Sequence, residues 1–73
     1  MAHLWDYRVV RKKEDNGSMT FGIHEVFYDK HGKPQFCSNR SMEPTGESIR
    51  DLRASVVQMM KAFDKPILRY EDF

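Results

Sequence analysis

The chain has 73 residues, with 12 Lys and Arg against 11 Asp and Glu, for a net charge of +1. That length allows one domain, residues 1–73, with one small core drawn from the 40% of residues that are apolar. The near-neutral balance speaks against bulk nucleic-acid binding, which uses a strongly basic domain, and the single cysteine, Cys37, excludes an internal disulfide or a multi-cysteine metal set within one chain.

Met1 to Val10 carries Asp6 and Arg8 and has no long apolar run, so no signal peptide is expected. No apolar stretch approaches ~18 residues, the length that would suggest a membrane span. These features together predict a reduced, cytoplasmic, soluble protein.

Residues 4–13 alternate: Trp5, Tyr7 and Val9 share one face and Asp6, Arg8 and Lys12 the other, the period of a strand. Asn16-Gly17 then reads as a hairpin turn, because both residues tolerate positive φ. Met19 to Asp29 is predicted as the second strand, with Phe21, Ile23 and Phe27 on one face and His24, Val26 and Tyr28 on the other. A loop of Asp15-Asn16-Gly17 pairs Trp5 with Phe27 and Val9 with Ile23, which gathers the large apolar residues on one side. Lys30 to Pro34 is a second turn, and Pro34 places the third strand, Gln35 to Ser41, late or at an edge. Its register stays open: a two- or four-residue loop sets Phe36 beside Phe27, and a three-residue loop turns it to the other face.

Ser48 has the form of a helix N-cap, with the acidic Asp51 three residues on. Ile49, Leu52, Val56, Met59, Met60 and Phe63 follow at helical spacing and predict one buried face. Pro66 ends the helix, and Ile67 to Tyr70 is read as a short fourth strand. The predicted class is α+β: a three-stranded antiparallel meander, one amphipathic helix and a short last strand, β-β-β-α-β.

The stretches Trp5 to Val10, Gly22 to Asp29 and Lys65 to Leu68 resemble a family of small, uncharacterised bacterial proteins in which a YRVV strand, a GIHEVYYD strand, a G-x-P turn and one helix recur. That family implies no activity, cofactor or partner. The layout, with Gly46-Glu47-Ser48 at the helix start, is also similar to the N-terminal domain of HicB antitoxins, a degraded RNase H-like fold that binds a small toxin. Toxin binding is what that likeness implies; operator binding is not carried over, because the chain ends at Phe73.

No catalytic motif is expected to be present. His24 and Glu25 are adjacent on a strand and so point to opposite faces, which favours cross-strand pairing over a shared site. His3, His31 and Cys37 match no zinc spacing, and Cys37 has no base partner in the sequence. The protein is therefore expected to be neither an enzyme nor a metal or cofactor binder. Two binding readings remain. A single helix covers one sheet face and leaves the other open, so Arg8, Val10, His24, Val26 and Tyr28 become a candidate surface for a protein partner or for a homodimer. On that reading, Tyr28→Ala or Val26→Asp weakens association and leaves the fold intact. The competing reading is RNA binding through Arg8, Arg11, Lys12, Lys13 and Tyr28, basic residues beside an aromatic on a sheet.

Overall fold

A computed structural model describes residues 4–73, so His3 lies outside the described residues. The long hairpin forms as the alternation requires. Strands β1 (Trp5–Lys13) and β2 (Met19–Tyr28) pair antiparallel, with Trp5 opposite Phe27, Val9 opposite Ile23 and Arg8 opposite His24. The turn differs from the expected one in a single residue. Gly17 alone takes positive φ, at 89°, and Asn16 does not. The Gly17 N–H donates to the Glu14 carbonyl and the Glu14 N–H to the Ser18 carbonyl, so three residues turn the chain and glycine takes the left-handed position. Asn16 Oδ1 meanwhile accepts from the Ser18 N–H at 2.9 Å.

Strand β3 (Pro34–Cys37) is shorter than predicted and lies at the sheet edge, where a proline without an N–H is tolerated. Phe36 faces Phe27 and Pro34 faces Tyr28, with Gln35 absorbed in a bulge between them. Beyond Cys37 the chain runs on along β2 without regular pairing: Ser38 N–H donates to Glu25 O and Met42 N–H to Ile23 O. Gly22 permits this approach, because a Cβ there would sit 2.7 Å from Ser41 Cβ.

Ser48 caps helix α1 (Ile49–Met60), its Oγ accepting from the Asp51 N–H at 3.1 Å. The helix tightens into a 3-10 turn at Lys61–Asp64 before Pro66, whose ring forces Lys65 into extended backbone. Strand β4 (Leu68–Arg69) is only two residues long, and Tyr70 already begins a second 3-10 turn, Tyr70–Asp72. It does not extend the meander. It returns to the far side of β1 and pairs parallel, Val10 with Leu68, so the sheet order is β3-β2-β1-β4. No helix among the described residues is long and apolar enough to cross a membrane.

The distribution of burial corrects the sequence reading. Helix α1 lies on the face of Val9 and Ile23, as expected, but the opposite face is the more deeply buried. Val10 and Val26 are 0% exposed, His24 is 4% and Arg8 is 7%. Two segments close that face. On the β1 side β4 extends the sheet, and the residues flanking it reach over the face: Pro66 O accepts from Arg8, and the Tyr70 ring sits 6.2 Å from that of His24. Residues 38–41 lie over the β2 side. The sheet is thus enclosed from both directions, and Val10 and Val26 are core residues rather than a contact surface.

Candidate functional site

The buried face holds a polar chain. Lys65 Nζ pairs with Asp6 Oδ2, Tyr28 donates its hydroxyl proton to Asp6 Oδ1 at 2.6 Å, and Arg8 Nη1 donates to Tyr28 Oη at 2.9 Å. Arg8 Nη2 completes the chain on the Pro66 carbonyl at 2.8 Å. Alternation along β1 explains the grouping, since Asp6 and Arg8 are two residues apart and share a face with Tyr28 on β2. Both hydrogen-bonding Nη groups of the Arg8 fork are used, while its Nε is buried without a partner. The network ties β1 and β2 to the segment after the helix, which is a structural role.

Burial, and after it the hydrogen bond to Asp6, raises the Tyr28 phenol above its ordinary pKa, with Arg8 opposing in part. A raised value means that the folded state keeps this proton where the unfolded chain loses it. Its contribution to stability is therefore complete below about pH 10 and declines as pH rises towards the folded value. Tyr28→Phe should flatten the alkaline limb of a Tm-against-pH profile relative to the parent. Parallel profiles for the two proteins above pH 9 would contradict this assignment.

His24 and Glu25 part company, as the strand period demands. The Nδ1 of His24 lies 2.9 Å from the Ser38 carbonyl, which can only accept, so Nδ1 carries the proton in the neutral ring. Glu25 lies on the helix side opposite Tyr7. Cys37 is half-buried, and burial pushes its thiol up against a smaller opposing effect of Lys12, so the reactive thiolate is disfavoured. Among the described residues, no three His, Cys, Asp or Glu side chains are grouped to hold a metal ion.

The basic residues of the RNA reading are dispersed. Arg8 and Tyr28 are tied into the buried network. Arg11 reaches Glu71 at 3.8 Å, and Lys12 stacks 4.6 Å above the Tyr70 ring. Lys13 is exposed at the hairpin end. A recess of about 370 Å³ does gather His24, Lys12 and Arg40, but Glu14 and Glu43 line it too and balance the charge.

The open apolar surface is on the helix side, where the sequence predicted core. Met59 is buried and Leu52 half-buried against the sheet. At 100° per residue, Ile49, Val56 and Met60 point about 70° away around α1, beyond the reach of the sheet. Phe63 is 69% exposed, and Met60 and Phe21 are each 61% exposed. These side chains rim a groove of about 420 Å³ floored by Val9, Ile23 and Met59 and closed at one end by Met42 and Pro44. No charged residue lines it. A second cleft of about 850 Å³, on the other flank of α1, runs between Trp5 and Gln58 and holds Asp6, Lys61, Asp64 and Lys65.

Sequence reasoning named none of the groove residues as a surface. The stripe from Ile49 to Phe63 has the ordinary width of a core-facing helix, so the sequence carried no signal that only its Leu52–Met59 edge would meet the sheet. No protein-family model, no curated protein and no solved structure matches this chain.

Proposed function

We propose that this protein is a non-catalytic protein-interaction module, and that it binds through the helix-side groove rather than through the buried sheet face. The observation that carries this reading is the exposure of Phe21, Met60 and Phe63 around a groove without charged walls. Contiguous apolar surface of this kind marks an interaction site in a water-soluble domain. Aromatic and methionine side chains are also the types enriched at the centres of protein interfaces. A phosphate backbone would find no cation there.

The reading is tested by replacing Phe63 with a photo-reactive amino acid and illuminating cells that make the protein. A covalent protein adduct is expected, and Met60→Glu in the same chain should cut its yield at least about tenfold, as loss of a central apolar anchor does. Recovery of only uncrosslinked chain would overturn the proposal.

A further inference from the structure

We infer that the helix-side face closes on a second copy of this chain, forming a two-fold dimer in which Phe63 and Met60 of each copy enter the groove of the other; this rests on the reading of that face as a protein-binding surface. Four observations lead there.

The first is area. On the helix side Ile49 is 76% exposed, Phe63 69%, Phe21 and Met60 61% each and Val56 38%. Together these five side chains present on the order of 500 Å² of apolar surface, most of the roughly 800 Å² that each partner contributes to a standard interface. A copy of the chain brings the same exposed face and needs the same cover.

The second is shape. A two-fold interface is made by one patch meeting itself, so that patch must carry both projections and a recess to receive them. The helix-side face does: Phe63, Met60 and Phe21 project beside the groove that Val9, Ile23 and Met59 floor. A small apolar ligand could fill the recess, but it would leave the projecting rings in water.

The third is charge. Two copies of a chain at +1 meet with almost no net repulsion, and the groove walls hold no charge to be stranded on burial. A strongly acidic or basic partner would find nothing complementary in them.

The fourth is the offset of the helix. Met59 turns to its own sheet, and the neighbouring Ile49, Val56 and Met60 turn outward as a continuous row along α1. That row is the i, i+7, i+11 seam by which one helix packs against another. Its neighbour in a two-fold dimer is the same row from the second chain.

Sedimentation velocity on the full chain over a concentration series tests this. The expected species has twice the 8.7 kDa mass of the chain, with dissociation only below about 1 μM, as an interface of this area can provide. Phe63→Glu and, separately, Phe21→Lys are expected to give monomers with unchanged circular dichroism, since both side chains are largely exposed in the single chain. A parent protein that stays monomeric throughout the series overturns the dimer. So does a dimer that survives both substitutions, because its interface then lies elsewhere. The photo-crosslink at position 63 separates the two levels of the argument. An adduct of two chains supports the dimer. An adduct with a different protein, from a monomeric parent, overturns the second copy and leaves the binding face standing. No adduct removes both.

Discussion

Val26→Asp is expected to abolish the cooperative thermal transition of this domain. Val26 has no solvent exposure, and it lies with Val10 between the sheet and the segments that cover it. A carboxylate placed there must either stay ionised without a partner or take up a proton, and each course costs several kcal/mol. A domain of this length has about 4–11 kcal/mol of total stability, so one such substitution removes most of it. Val26→Ala, which removes two methyl groups and leaves a small cavity, should cost about 2 kcal/mol and lower Tm by roughly 10 °C. Val57→Asp serves as the reference, because Val57 lies exposed on α1 and should tolerate a charge within about 0.5 kcal/mol. Melting curves of the three variants decide the matter. A Val26→Asp protein that melts like Val57→Asp would mean that this sheet face is open, as its polar alternation in the sequence suggests.

The hairpin was legible because two local signals agree. The period of two assigns each side chain to a face, and the Asn16-Gly17 turn sets which residues stand opposite. The resulting pairs, Trp5 with Phe27 and Val9 with Ile23, are the observed ones. The helix start was legible for a similar reason, since Ser48 Oγ satisfies the Asp51 N–H without help from the rest of the chain. What covers the sheet was not legible. The covering pieces, Pro66 and Tyr70 on either side of β4 and residues 38–41, are too short or irregular to carry a periodicity. The parallel return of β4 beside β1 rests on two residues, too few to leave a pattern. The helix posed the opposite difficulty. Its apolar stripe was plain, but a stripe says that something must cover it, not which surface does.

That distinction relocates the candidate site. Arg8 and His24 look like surface residues because charged side chains seldom sit deep in a small domain. Here their long-range partners come from the segment after the helix and from residues 38–41, and both are almost wholly enclosed. With this face filled, the excess apolar surface is on the other side, around Phe21, Met60 and Phe63. The chain therefore spends Arg8, His24 and Tyr28 on internal order and leaves Phe21 and Phe63 outside, the reverse of what alternation alone suggests.

Arg8 gives the second large effect, and its series separates internal order from ligand binding. Arg8→Ala removes the donors to Tyr28 Oη and the Pro66 carbonyl and leaves Tyr28 bonded only to Asp6 within the chain of bonds. The two acceptors left without a donor cost about 1–3 kcal/mol each, so Tm should fall by at least about 8 °C. Arg8→Met keeps the volume and removes the charge together with its desolvation cost, and should lose at least about 1 kcal/mol less than alanine. Arg8→Lys keeps the charge as a point and not a fork, so one of the two acceptors goes unserved, and it should fall between them. In a double-mutant cycle, Arg8→Ala and Tyr28→Phe should be non-additive by about 0.5–3 kcal/mol, because they break the same chain of bonds. These losses should persist in about 1 M salt, which screens exposed charges far more than enclosed ones. An Arg8→Ala protein that melts within about 3 °C of the parent would show that the guanidinium is not structural. Loss of RNA affinity in that same stable protein would then return Arg8 to a nucleic-acid surface.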